Sequence, residues 1–257
     1  MDPVADDRGH GLSVSKSKTG FPYRVALAGG WIDQPWVSKI CPGAMVVASI
    51  HPTVEFQDRS GMATSSRKVA LELWGGRIPE GDPVRMAKLL FGAENPPGAA
   101  YVSGSQDHIG LLVPGISRLY YAGKYWPDEI ESSRDPETCR WLERVLQLIP
   151  LKPRPPDFDP LEEKSLDPTW IKRLGESGEL CFRSILSRDV AGLGESLTLS
   201  LKAWRQILPR TVPDSTLREL ERYKDSPGGT SSGAGGGYLL LASDRPIEGA
   251  FRIKIRR

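Results

Sequence analysis

Apolar residues fall into short unbroken runs in some stretches and into helical spacing in others, and the two patterns divide the chain into elements. Tyr23-Arg24-Val25-Ala26-Leu27-Ala28 reads as a first strand, stopped by the loop formers Gly29-Gly30-Trp31-Ile32-Asp33-Gln34-Pro35. Ala44 to Ile50 is continuously apolar and predicts a buried strand. Pro52 then breaks the chain, and Thr53-Val54-Glu55-Phe56-Gln57 alternates like the return strand of a pair, so a small sheet is expected here. From Ser66 the spacing of Val69, Leu71, Leu73 and Trp74 predicts a short helix ended by Gly75-Gly76. Pro83 to Phe91 predicts another, with Pro at its start and Gly92 after it. Ser103 to Val113 reads as a helix whose first turn holds a carboxylate, and Arg118 to Ala122 as a strand.

Val145 to Ile149 predicts a strand just before the sharpest change of composition, the Pro-rich stretch Pro150 to Pro160. Two helices follow, about Pro168 to Ser187 and Val190 to Leu208. Leu193, Leu197, Leu201 and Trp204 share one face of the second and read as core. A third helix, about Pro213 to Tyr223, precedes a glycine loop, and strands at Tyr238 to Ala242 and Gly249 to Ile255 complete the pattern.

With 257 residues and 39% hydrophobic content, the chain can bury a sizeable core. Its 34 basic and 32 acidic residues nearly balance, so no broad field draws it to nucleic acid or to a membrane surface. The tail Arg252 to Arg257 alternates basic and apolar residues, which suits a half-buried edge strand with its charges in water. Cys41, Cys139 and Cys181 have neither zinc-site spacing nor the even count of a disulfide framework, and a reducing cytoplasm is expected. His10, His51 and His108 are too scattered for a metal cluster. No stretch reaches the roughly twenty apolar residues needed to cross a bilayer. Residues 1–20 lack the apolar run of a signal peptide and are expected to form a flexible lead-in.

Two small-residue stretches carry the chemistry. Gly61-Met62-Ala63-Thr64-Ser65-Ser66 opens a helix, and Ser232-Gly233-Ala234-Gly235-Gly236-Gly237 leads into a strand. Small residues let backbone N–H groups approach an anion, and a helix N-terminus favours negative charge, so a phosphate ligand is expected. Taken alone, Arg24 reads as a surface residue on a strand, Asp107 as a carboxylate stabilising a helix start, and Asp33 with Trp31 as a capped turn beside a core indole. Tyr120, Tyr121, Tyr125 and Trp126 read as core.

Taken together, Arg24 to Asp33, Gly61 to Ser66, Gly104-Ser105-Gln106-Asp107 and Gly233 to Gly237 occur in an order that resembles the GHMP small-molecule kinases. The likeness is nearest to their heptose-kinase and fucokinase branch and spans Tyr23 to Ala242. The resemblance implies a two-lobe α/β (α+β) fold: a phosphate-loop lobe over 21–143 and a ferredoxin-like lobe over 144–257, with the site between them. It implies ATP and Mg²⁺ as cofactors, with phosphates on Gly61, Met62, Ala63, Thr64, Ser65, Ser66 and on Gly233, Ala234, Gly235, Gly236; Ser66 lies near the metal. It implies Asp107 as general base with Arg24 as its charged neighbour. Gly30, Trp31, Asp33 and Gln106 then contact a sugar or polyol hydroxyl acceptor. Transfer of a phosphoryl group needs positioning and charge neutralisation above all, which agrees with these roles. A monomer or homodimer is expected, without nucleic-acid or membrane partners.

The chain also departs from that pattern. The interval from Asp33 to Gly61 is shorter than in typical members, and Gln57-Asp58-Arg59-Ser60 stands where a proline usually begins the loop motif. Gly229-Thr230-Ser231-Ser232 lacks the lysine often found before the glycine loop. Arg67 and Lys68 are expected to face solvent rather than phosphate. The short interval favours a second reading, an anion-binding cleft that binds or transforms a phosphorylated metabolite without ATP-dependent transfer.

Overall fold

The computed structural model describes residues 20–152, 154 and 157–257. The expected lead-in, residues 1–20, lies outside these except for Gly20, as does His10.

Four strands form an antiparallel sheet in chain order: β1 (Tyr23–Ala28), β2 (Gly43–Ile50), β3 (Ile116–Tyr121) and β4 (Glu129–Ser133). β1 and β2 are buried at every residue, because both faces of the sheet are covered. Val25, Leu27, Val46 and Ala48 point into one apolar cluster, while the alternate residues Ala26, Met45 and Val47 point into another. The second cluster is closed by α2 (Thr64–Trp74), α3 (Pro83–Glu94) and α4 (Gln106–Leu112), through Ala70, Ala87, Leu90, Ile109 and Leu111. Each large side chain removed from water there contributes roughly 1.5 to 3 kcal/mol.

The first cluster is shared with a second antiparallel sheet, ordered β6 (Gly228–Gly233), β7 (Gly236–Ala242), β5 (Leu146–Pro150) and β8 (Phe251–Arg252). Two long helices, α6 (Pro168–Ser187) and α7 (Val190–Ile207), pack on each other, α6 against β2 and α7 against β6 and β7. The Asp167 carboxylate accepts from the Thr169 N–H at the start of α6 and the Asp189 carboxylate from the Ala191 N–H at the start of α7, so each helix begins at its own cap. The remaining helices among the described residues are α1 (Pro35–Ser38), α5 (Pro136–Val145), α8 (Asp214–Glu221) and a short 3-10 turn, Pro209–Thr211. No helix among the described residues is long and apolar enough to cross a membrane.

Residues 53–57 form no strand. Both edges of β2 are already paired, with β1 and β3, so a return strand has no place to bond. Phe56 instead plugs the first cluster, edge-on to Tyr23 and Tyr238. The basic tail is a strand only over Phe251–Arg252, and its charges do not all face water. Arg256 turns inward, donating from Nη2 to the Leu111 and Leu112 carbonyls and from Nε to Ser49 Oγ at 3.1 Å. The Ile50–Ile255 bridge beside it ties the tail to the first sheet. Arg67 likewise lies inside: its guanidinium donates to the Phe21 carbonyl and covers the Tyr23 ring at 4.1 Å. Lys68 does face solvent, paired with Asp58 at 2.6 Å.

Candidate active site

A cavity of about 440 Å³ opens where the turn before α2 meets the hairpin between β6 and β7. Gly61 and Gly233 are in backbone contact there. Gly61 has φ +76°, and a Cβ on it would collide with the Ser232 carbonyl and Gly233 Cα. Ser232 Oγ fixes the junction by donating to the Ser60 carbonyl at 2.6 Å while accepting from the Tyr238 N–H at 3.0 Å. Gly61, Ser65, Gly233 and Ala234 line the cavity.

Other residues of the two loops play different parts. Met62 is sealed in the first apolar cluster, and its carbonyl accepts from the Arg24 N–H. Ala63, at φ +57°, starts α2 from the second cluster, and Thr64 Oγ1 accepts from the Arg59 N–H at 3.1 Å. Gly235 and Gly236 do not reach the cavity as expected. The Phe158 ring covers Gly235, whose N–H is spent on the Thr211 carbonyl, and the Lys152 carbonyl lies against Gly236. Ser66 is fully buried behind the lining, whereas the hydroxyl on the wall is that of Ser65. Beside Ser66 lies Glu94, hydrogen-bonded to His108 Nε2 at 2.6 Å. Burial alone would raise the Glu94 pKa, but His108 and, more weakly, the adjacent Ser66 hydroxyl outweigh it and lower it.

Opposite the loops, Arg24 of β1 meets Asp107 in the first turn of α4. Arg24 Nη2 donates to Asp107 Oδ1, and Nη1 donates to the Gly61 carbonyl at 3.1 Å. The arginine stem crosses α4 at Gly110, where a Cβ would strike it. Burial lowers the Arg24 pKa to about 10, against the opposing pull of Asp33 and Tyr121, so the guanidinium stays charged at neutral pH.

Asp33 sits on the turn after β1, 2% exposed, with its carboxyl filling the space that Gly104 leaves by lacking a Cβ. Burial pushes its pKa up to about 6, and Arg24 together with the side chain and N–H of Gln106 offsets only part of that rise. Gly30, Trp31, Asp33, Gln106, Arg24 and Asp107 all face the same cavity. Trp204 of α7 completes this end, donating from Nε1 to the Gly30 carbonyl at 2.9 Å. Tyr120, Tyr121, Tyr125 and Trp126 do not line it.

Sequence reasoning missed several lining residues: Tyr101, Ser103, Arg59, Arg154 and Asp159. Arg154 and Asp159 belong to the Pro-rich stretch, whose composition reads as a connector. The signal that was there to find is its arginine, placed between prolines that stiffen the chain.

No protein-family model matches the chain, and no curated protein matches its sequence. Solved structures do match over most of their length. A D-glycero-D-manno-heptose 1-phosphate kinase from Bacteriodes thetaiotaomicron aligns over 92% of this chain and 95% of its own, with TM-score 0.58 and 13% identity. The mevalonate kinase of Methanococcus jannaschii aligns over 89% and 92%, with TM-score 0.53 and 12% identity. The galactokinase of Lactococcus lactis, solved with galactose, aligns over 90% and 87%, with TM-score 0.53 and 12% identity. The chain has the fold of the GHMP kinases.

Proposed function

We propose that the protein is an ATP- and Mg²⁺-dependent phosphotransferase acting on a hydroxyl of a sugar or sugar-like polyol, in the cleft between lobes 21–143 and 144–257. The observation that carries this reading is the Arg24–Asp107 pair, which faces the cavity where Gly61 and Gly233 touch. Asp107 Oδ accepts the acceptor's hydroxyl proton as its oxygen attacks phosphorus, a contribution of about 10²- to 10⁴-fold. Arg24 orients that carboxylate by donating to its Oδ1. Asp33 and Gln106 fix neighbouring hydroxyls, and the indole of Trp31 offers a face for the C–H side of a ring.

The residues present fit a phosphate chain: backbone at Gly61, Gly233 and Ala234 lets charge approach closely, and Ser65 adds a hydroxyl. Magnesium, when bound, neutralises the phosphates. Of the loop hydroxyls only Ser65, on the wall, would be an oxygen donor within its reach, since Ser66 is buried behind the lining and Glu94 is bonded to His108. A coupled ADP-release screen over hexoses, heptoses, deoxysugars, uronic acids and cyclitols tests the proposal. Acceptor-dependent ADP release is the expected result, and its absence across the panel, with the protein folded, counts against transfer.

The short Asp33–Gly61 interval supports the second reading, an anion-binding cleft without ATP-dependent transfer. From Pro35 to Ser60 only Arg59 lines the cavity. Calorimetry separates the two readings: sugar-phosphate binding with no ATP binding at millimolar Mg²⁺ would favour the second.

A further inference from the structure

α4 carries both Gln106 and Asp107, and its place along its own axis decides where Asp107 meets Arg24. The two elements touch again one turn further on, where the Arg24 stem lies against Gly110. What holds α4 in that place comes from the basic tail. The last carbonyls of a helix have no partner inside it, and here those of Leu111 and Leu112 accept from Arg256 Nη2, at 3.3 and 2.5 Å. Arg256 Nε donates to Ser49 Oγ, which in turn donates to the Leu111 carbonyl at 3.3 Å. Ser49 is the residue of β2 that stands opposite Arg24 of β1 in the sheet register. The Arg256 backbone is fixed as well: its N–H donates to the Ser49 carbonyl at 2.8 Å, and its carbonyl accepts from the Gly115 N–H at 2.7 Å. Burial, and then the charge of Arg134, lower the Arg256 pKa to about 10, so the side chain is a cation at neutral pH and suits the negative end of the helix. At the other end of α4 Ser105 makes no cap bond; its hydroxyl donates to the Tyr125 carbonyl.

We propose that Arg256 is a positioning residue for Asp107: it joins the sheet position paired with Arg24 to the end of α4, and so fixes the two members of the Arg24–Asp107 pair against each other. The proposal rests on the kinase reading and deepens it, since a general base contributes only when held within hydrogen-bond reach of the hydroxyl it deprotonates. Arg256 itself does not line the cavity. From Leu112 back to Asp107 is about 7.5 Å of helix, a rod too short to absorb a slip at the Arg256 end. A misplacement of about 1 Å costs about 10²-fold in rate. One guanidinium serves two carbonyls and a hydroxyl in a fixed plane, whereas a lysine in its place would keep the charge and lose part of that set.

Steady-state ADP release by the full chain, on an acceptor found in the screen, is the first measurement. Arg256→Gln should lower kcat about 10- to 100-fold while the binding of inorganic tripolyphosphate with Mg²⁺, followed by calorimetry, stays within about twofold of wild type; Arg256→Lys should recover part of the loss. In an Asp107→Asn background the same Arg256→Gln should lower kcat by no more than about twofold, because no base is left to misplace. Lys254→Ala, which removes a pair with Glu143 from the same tail, should leave kcat within about twofold. If Arg256→Gln fails to fold by urea titration, Arg256→Lys takes its place. Wild-type kcat in the folded variant overturns the proposal, and so does an equal loss with and without Asp107, which would make Arg256 a matter of stability alone. Amide hydrogen exchange gives a readout without turnover: Arg256→Gln should speed it about 10-fold at Gly110 to Val113 while α6 keeps wild-type rates. Should no acceptor give ADP release, the kinase reading fails by itself; faster exchange confined to α4 would then still support the positioning, and unchanged exchange would overturn it too.

Discussion

At the end of the cavity that we assign to the acceptor, the polar groups stand on regular elements, Arg24 on β1 and Gln106 and Asp107 on α4, with Asp33 wedged against Gly104. At the end that we assign to phosphate, Gly61 and Ser65 stand at the mouth of α2, Gly233 and Ala234 at a hairpin, and Arg154 outside any helix or strand. The first end pairs its charges, Arg24 with Asp107, and still leaves Arg24 Nε and Gln106 Oε1 without hydrogen-bond partners, whereas the second offers backbone and the half-buried Arg154, whose Nε is likewise unpartnered. The first arrangement selects by fixed geometry and the second waits for an anion. On the proposed function, transfer takes place where they meet, at the Arg24 bridge to the Gly61 carbonyl.

The comparison breaks most severely at Asp107. Asp107→Asn should lower kcat about 10²- to 10⁴-fold with tripolyphosphate binding retained, because the amide accepts no proton. Wild-type turnover in a folded variant would remove Asp107 from the mechanism. Folding is checked by urea titration, since Arg24 loses a charged partner.

Asp33 is the next largest. Its folded pKa, about 6 against 3.8, is raised, so its contribution to stability is complete below about pH 4 and is lost as pH rises through 6. The ionised group therefore costs the fold up to about 3 kcal/mol at pH 8. Asp33→Asn should raise the urea midpoint at pH 8 and hardly change it at pH 3, while raising KM for the acceptor. Equal shifts at both pH values would show that burial does not set this group. In the wild type, acceptor KM should climb as pH falls below 6.

Gly61→Ala sharpens the comparison at the joint itself. A Cβ at φ +76° that meets the Ser232 carbonyl should cost about 2 kcal/mol, seen as a lower Tm, and should weaken tripolyphosphate more than acceptor. Smallest of all, Lys68→Ala removes an exposed pair with Asp58 and should change stability by no more than about 0.5 kcal/mol. A larger loss would mean that this side chain helps to hold the turn before Gly61.

Elements whose local signals agreed with their surroundings were legible in the sequence: β1 spans Tyr23–Ala28 and α6 spans Pro168–Ser187, as read. Others formed for reasons outside their own residues. Gly228–Gly233 has no apolar pattern and is a strand because β7 supplies a partner. β4 is a charged edge strand, Glu129 and Glu131 flanking Ile130, and its alternation is too polar to stand out. The Asp135-Pro136 start of α5 was a plain helix signal, its carboxylate capping the Thr138 N–H, and it went unused. The motifs picked out Arg24, Asp33 and Asp107, which share the cavity, and Gly104, the space that Asp33 fills; Gly110, where the Arg24 stem crosses, lies outside them. Arg59 and Arg154 were not legible as lining residues, since nothing local brings residue 59 to residue 154.

Ser232 and Ser60 are joined by a hydrogen bond across 172 positions of chain. During synthesis the N-terminal loop therefore waits, without its counterpart, until residues 232 to 237 have emerged and paired. A ribosome-bound intermediate that stops short of residue 237 has no finished pocket, and a ligand of that pocket cannot assist its folding.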